Sequence, residues 1–250
     1  RGVAVASMLG AQECGPIPVC ALLAGRTVEE RQREAACALG AGYRCLKIKV
    51  GAGAIDDDIR RVEAVRQVVG DGIAIRLDAN RGWSLAHARA AISRLSAMRI
   101  EFLEEPLSSP TPEALSELGA AGPIPIALDE SVRDIGDLAR FVERRAADVI
   151  VLKAARLGGL RAAMRLARFA TEAGMKVVVT DSIESPLGMS AAIHLAAAAA
   201  PRLAIGLGGA RMLAEQSLRE AGFVPSPWVR AAAVGLDVVW EARSGGSSDG

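Results

Sequence analysis

The chain has 250 residues, of which 51% are hydrophobic, and a formal net charge of +1. That is enough apolar material for one large α/β barrel or two smaller domains. The charges are scattered and the aromatics number three Trp, one Tyr and four Phe, which leaves neither a basic stripe nor a stacking platform for nucleic acid.

Residues 1–14 are expected to be a short lead-in to a barrel over 15–243. The first β-like run is IPVCAL (17–22), followed by a helical pattern in TVEERQREAACALGAG. RCLKIKV (44–50) is the second strand, and IDDDIRRVEAVRQVVG the helix after it. IAIRLD (73–78) precedes SLAHARAAISRLSAM, and IEFLE (100–104) precedes TPEALSELGA. IPIALD (124–129) leads to DIGDLARFVERRA, DVIVLK (148–153) to GLRAAMRLARFATEAG, and MKVVVT (175–180) to PLGMSAAIHLAAAA. LAIGL (203–207) is the eighth strand, and SGGSSDG (244–250) has the composition of a disordered tail. Eight strands alternating with helices in this length match a (β/α)8 TIM-type barrel. A doubly wound open sheet would carry a Gly-rich turn after its first strand, and none is there. VGAGA (50–54) is too short for a dinucleotide fingerprint, and GLGGA (206–210) reads first as a tight turn.

The longest Ala-rich stretch, SAAIHLAAAAAP, is short and includes His194 and Pro201, so no membrane span is read. No secretory leader pattern is visible. Cys14, Cys20, Cys37 and Cys45 form no CxxC pair, and they read as reduced, small apolar residues in a cytosol-like compartment. His87 and His194 fall inside helical patterns, away from strand ends, and are not expected to bind metal.

Ionic residues recur at the C-terminal ends of successive strands. Strand two carries Lys47 and Lys49 on one face; strand three ends in Asp78, with Asn80 two further on. Strand four ends in Glu104 and Glu105, strand five in Asp129 and Glu130, strand six in Lys153. Strand seven runs into Asp181, Ser182 and Glu184. Residues 78, 104, 129 and 153 are spaced 26, 25 and 24 apart, one βα unit each, which puts them at equivalent places around the mouth of a barrel. Carboxylates from adjacent strands repel one another in a low dielectric, and a divalent cation removes the conflict. All-oxygen ligands point to Mg2+, with Mn2+ as a substitute. Each motif alone has a bland reading: KxK as a solvated strand edge, EEP as a helix entry, DES as an N-cap. The joint pattern, in order on consecutive strands, reads as function. Strands two and six lie across the ring, so Lys49 and Lys153 would flank a substrate resting on the metal. A desolvated lysine near other cations has a depressed pKa and can act as a base, which suits proton removal beside a carboxylate.

At these residues the chain resembles the enolase superfamily, in its muconate-lactonizing-enzyme-like subgroup, a superfamily known to pair a Lys or His base with Mg2+. The resemblance implies Lys49 as the acid/base, Lys47 as the partner that neutralises the substrate carboxylate, and Lys153 as the lysine on the opposite face. It implies Asp78, Glu104 and Asp129 as the metal ligands. The segment TDSIESPLGMSAAIHLAAA (180–198) is similar to a strand-seven motif of o-succinylbenzoate synthases. That similarity implies a lyase of menaquinone or phylloquinone synthesis, in bacterial cytoplasm or plastid stroma, that removes water from a cyclohexadiene carboxylate. Ser182, Glu184 and Ser185, with Asn80, would then line the substrate. Thr180-Asp181 and Pro186 depart from that motif. Dipeptide epimerases and N-acylamino acid racemases of the subgroup remain open, although GLDVVW (235–240) offers only Asp237 where an epimerase carries DxD. A muconate-type cycloisomerase is also open. The resemblance further implies an N-terminal capping domain upstream of this chain, needed to close the site, and an oligomer is compatible with it. Readings from other classes are an inactive barrel acting as a scaffold and a Schiff-base aldolase using Lys153, which would have no use for the carboxylates.

Overall fold

The structure, a computed structural model, describes residues 2–12, 15–199, 203–208, 226–232 and 238–241. The expected tail (244–250), Cys14, Asp237 and the end of GLGGA lie outside the described residues.

Parallel strands run in chain order around a ring: β1 (Ile17–Leu23), β2 (Cys45–Lys49), β3 (Ala74–Asp78), β4 (Ile100–Glu104), β5 (Ile126–Leu128), β6 (Val149–Leu152) and β7 (Lys176–Val179). The short β8 (Ile205–Gly206) pairs with β1 through Val19↔Ile205 and Cys20↔Gly206, and a bridge from Thr180 to Gly206 joins it to the β7 end. The eight strands therefore form a nearly closed TIM-type barrel, as the alternation of patterns requires. Two further strands were not anticipated. β9 (Trp228–Ala231) pairs antiparallel with the start of β1, and β10 (Val238–Glu241) pairs with β9.

The helices fall where the periodicity puts them: α2 (Val28–Gly40), α3 (Ile55–Val69), α4 (Leu85–Leu95), α5 (Pro112–Gly119), α6 (Ile135–Glu143), α7 (Leu160–Glu172) and α8 (Pro186–Ala199). Local chemistry sets their starts. Thr27 and Glu30 form a reciprocal capping box at α2, Thr111 caps α5 with Pro112 following, and Asp134 caps α6. An additional short helix, α1 (Val5–Leu9), sits in the segment expected to be a plain lead-in. It packs on α8, where the Ala6 N–H donates to His194 Nδ1 at 3.1 Å inside the protein.

Strand alternation divides the core in two. Leu46, Ile48, Leu77 and Leu103 point outward into the layer between barrel and helices. Phe102, Ala127, Val149, Val151 and Val178 fill the barrel interior. The inward face of β2 carries Cys45, Lys47 and Lys49 in turn, apolar at the floor and charged at the mouth. At that mouth the loops after β2 and β3 touch. A Cβ on Gly51 (φ +86°) would lie 2.8 Å from the Ala79 carbonyl oxygen, and one on Gly82 would collide with the Gly51 carbonyl. Gly51 of VGAGA thus serves close loop packing.

Candidate active site

Lys47, Lys49, Asp78, Glu104 and Lys153 line one cavity of about 360 Å³ at the C-terminal mouth of the barrel. Register explains the convergence: Lys49 lies opposite Asp78, and Asp78 opposite Glu104, on neighbouring strands. Lys47 Nζ donates to Glu104 Oε1 and Oε2 at 2.8 and 2.7 Å and sits 2.8 Å from Asp78 Oδ2. Lys49 Nζ is 2.7 Å from Asp78 Oδ2 and also donates to Asn80 Oδ1. Across the ring, Lys153 donates to Asp129 Oδ2, and Arg156 Nη1 approaches Asp129 Oδ1 at 3.4 Å. Asp129 lies behind Lys153 and is almost fully buried.

Burial and charge act against each other here. Glu104 is pushed up to about 7, first by burial and then by the negative charges of Asp78 and Asp129, although Lys47 opposes both. Burial would also raise Asp78, but Lys47 and Lys49 outweigh it and hold that carboxyl at about 2. The same opposition acts on Lys47. Burial does favour its neutral form, but Glu104 and Asp78 outweigh burial and hold the ammonium well above its ordinary value. Lys47 is therefore a permanent cation in this arrangement.

Among the described residues, no three acidic, thiol or imidazole groups stand together as a ready ligand set. The ammonium groups stand between the carboxylates instead, Lys47 between Asp78 and Glu104 and Lys153 against Asp129. The donor chemistry nevertheless fits a hard divalent cation. Three buried carboxylates come from adjacent strands, and one of them, Glu104, is raised to about 7, first by burial and then by the charge of the other two. For such an ion to bind, Lys47 and Lys153 must give up their carboxylate contacts.

The residues expected to face substrate separate. Ser182 lines the cavity, and its Oγ is buried without a hydrogen-bond partner. Asn80 is not part of the lining; it bridges Lys49 and Glu130, donating through Nδ2 to Glu130 Oε1 at 3.0 Å. Glu184 also lies off the lining, accepts the Ser182 N–H, and is raised by burial. Ser185 is exposed and caps α8, its Oγ accepting the Gly188 N–H at 3.4 Å. Pro186 then occupies the first helical position, where proline is favoured, which accounts for that departure from the motif.

Three contributions were not read from sequence. Glu105, the second Glu of EEP, turns away from the cavity at φ +42°. Its carboxylate accepts the Asp129 N–H at 2.8 Å, the Ser131 N–H at 2.7 Å and the Ser131 hydroxyl at 2.8 Å, so it fixes the loop that presents Asp129. Alternation along the strand predicts that opposite direction but not the partners. Arg31 of α2 reaches the carbonyls of Leu23 and Lys49 and anchors the ends of β1 and β2. Arg156 lines the cavity beside Asp129, three residues after Lys153, through a turn that no local pattern announces.

A parallel barrel with acidic groups and lysines gathered at its C-terminal mouth defines the class. Residues 30–224 match the family described as Enolase C-terminal domain-like, and the chain belongs to that family, in the muconate-lactonizing-enzyme-like part of the enolase superfamily. Among curated relatives, the chain is 38% identical to the o-succinylbenzoate synthase of Thermobifida fusca, over 79% of this chain and 61% of that protein. It is 31% identical to the N-succinyl-L-Arg/Lys racemase of Bacillus cereus, over 77% of this chain and 52% of that protein. Among solved structures it is similar to the substrate-liganded L-Ala-D/L-Glu epimerase of Bacillus subtilis, with TM-score 0.85 and 27% identity, covering 96% of this chain and 67% of that one. A dipeptide epimerase from Cytophaga hutchinsonii complexed with Mg and the dipeptide D-Ala-L-Val gives TM-score 0.81 at 27% identity, covering 96% of this chain and 66% of that one. The chain spans 52% and 61% of the length of the racemase and the synthase, respectively. No helix among the described residues is long and apolar enough to cross a membrane.

Proposed function

We propose that the full-length protein is a divalent-cation-dependent enzyme that removes the proton beside a substrate carboxylate, and that its reaction is the loss of water from a cyclohexadiene carboxylate to give o-succinylbenzoate. The carrying observation is the pair Lys49 and Lys153, which enter one cavity from opposite sides of the Asp78–Glu104 pair. Asp78, Glu104 and Asp129 would hold Mg2+ or Mn2+, which supplies positive charge for the enolate oxygens. Lys49 removes the α-proton. Once protonated, it returns that proton to the departing hydroxyl on the same face, so that water leaves. Lys153 holds the developing negative charge from the other side, and Lys47, fixed as a cation, neutralises the carboxylate. The cavity wall of Leu22, Phe102, Val178 and Ile183 suits a carbocycle, and Ser182, with a free hydroxyl, suits the succinyl side. A capping domain outside this chain would exclude water from the mouth.

A racemase or epimerase reading is favoured by the same two lysines. Lys49 would take the α-proton from one face and Lys153 deliver one to the other. One assay on the full-length protein with Mg2+ separates the readings, offering the cyclohexadiene precursor beside N-succinyl amino acids and dipeptides in D2O. Turnover of the precursor that EDTA abolishes supports the dehydration. EDTA-sensitive deuterium uptake with inversion only in the amino acid derivatives assigns the racemase. Activity that survives EDTA, or no α-proton exchange with any of them, rejects both.

A further inference from the structure

Beneath the lysines, the barrel floor holds two cysteines that the reaction does not use. Cys20 of β1 and Cys45 of β2 are register partners, since the next residues along, Ala21 and Leu46, pair directly. Both are nearly fully buried, and they pack together with Ala204 and Ala74. The two thiols interact with each other, and Cys20 Sγ also lies 3.8 Å from the Ala21 carbonyl oxygen. Neighbouring strands lie about 4.8 Å apart, inside the Cα separation of about 4.4–6.8 Å that disulfides span. Cys20 also lines the active-site cavity, which puts it, and not Cys45, next to the space a small solute enters.

The surroundings differentiate the two sulfurs. Arg76 stands beside them with its guanidinium 4.8 Å over the Phe102 ring. It donates through Nε to Glu101 at 2.6 Å and through Nη1 to the Ala204 carbonyl at 2.6 Å, while Nη2 is buried with no hydrogen-bond partner. Burial opposes ionisation of Cys20, but the hydrogen bond with Cys45 and the charges of Arg76 and Lys47 outweigh it and lower the thiol. Cys45 is pushed up by the same hydrogen bond and by burial, and its Sγ faces Glu101 Oε2 at 3.9 Å. A cation beside an adjacent pair of thiols favours a thiolate within it, and Cys20, which lines the cavity while Cys45 does not, is the sulfur placed to attack with a resolving partner next to it.

We propose that Cys20 and Cys45 form a peroxide-sensitive dithiol site in the barrel floor, with Cys20 the attacking sulfur and Cys45 the resolving one. Cys20 sulfur attacks a hydroperoxide, the O–O bond breaks, and an alcohol (water, from hydrogen peroxide) leaves with one thiol proton. Cys45 sulfur then attacks the resulting Cys20 sulfenic acid, forming the S–S bond, and the hydroxyl leaves as water with the second thiol proton. Two electrons pass from the thiols to the peroxide. The site stands independently of which substrate the enzyme takes.

The test is peptide mapping of the full-length protein carrying Cys14→Ser, after hydrogen peroxide treatment and alkylation without reduction. Trypsin separates residues 2–26 from 45–47, so the two are recovered as one species, lighter by two hydrogens, only if Cys20 and Cys45 are joined. The expected result is that linked species, formed at sub-millimolar peroxide and lost on dithiothreitol treatment, while exposed Cys37 is alkylated singly. A second variant, Cys45→Ala, should convert the product to Cys20 sulfenic or sulfinic acid. Recovery of 45–47 unlinked under the same treatment overturns the proposal, as does linkage of Cys45 to a cysteine other than Cys20.

Discussion

Replacing Lys47 with Met removes the one cation among the described residues that touches both Asp78 and Glu104. Its Nζ lies 2.7–2.8 Å from three of their oxygens, and both acid side chains are 1% exposed. Breaking a buried pair by deleting one partner costs about 3–5 kcal/mol. Asp78 alone accounts for part of this. It is held at about 2 against 3.8 for the free side chain, which contributes on the order of 2 kcal/mol above the free value, and that stability is lost as pH falls through about 2. Glu104 has the opposite sign. Its folded value of about 7 lies above 4.5, so its ionisation costs stability as pH rises from the free value through the folded one. Without Lys47 that cost grows. The destabilisation, measured by urea unfolding in EDTA, should therefore be about 3–5 kcal/mol at pH 8 and clearly smaller at pH 5, where Glu104 is protonated. A loss under about 1 kcal/mol at pH 8, or one that grows on acidification, would refute the charge balance described for this site.

Glu104→Gln removes one of three crowded carboxylates, so the metal-free protein should be as stable as the parent or more so at pH 8, while Mg2+ affinity by calorimetry falls at least about tenfold. Lys49→Ala and Lys153→Ala in the full-length protein should each lower kcat at least about a hundredfold with an unchanged circular dichroism spectrum, since general acid–base groups contribute about 10²–10⁴. If only the Lys49 variant abolishes α-proton exchange, the one-base dehydration stands; exchange lost on both faces separately points to the racemase. Gly51→Ala places a Cβ against the Ala79 carbonyl at a positive φ, which costs about 1–3 kcal/mol and shifts the loop that follows Lys49. Thermal unfolding unchanged by that substitution would mean the two loops do not touch.

Most of the barrel was legible because each unit repeats one rule: a short inward/outward alternation followed by a helical period. β8 is confined to Ile205–Gly206, and its Gly206 lies against the Thr180 side chain with no room for a Cβ. β9 and β10 escaped notice because they are short runs, β9 pairing antiparallel with the start of the distant β1 and β10 pairing only with β9. In the site, Lys47, Lys49, Asp78, Glu104, Asp129 and Lys153 could be placed by counting strand ends, since strand position alone aims them. What the alternation could not show is who pairs with whom. Arg76 was readable as inward, two residues before Asp78, yet its tolerance in a barrel interior depends on Glu101, turned beneath it where the β3–β4 register shifts. Glu105 and Asn80 depend likewise on positive φ values at the ends of β4 and β3. A KIK motif likewise advertises two cations but not the two carboxylates whose charge outweighs the burial of Lys47.

The most direct measurement is an anomalous difference map from crystals of the full-length protein grown with Mn2+. The account predicts a single peak bounded by the carboxylates of Asp78, Glu104 and Asp129, with Lys47 and Lys153 withdrawn from them toward the cavity. A map with no peak there, or a peak held by other residues while Lys47 still bridges Asp78 and Glu104, would contradict it.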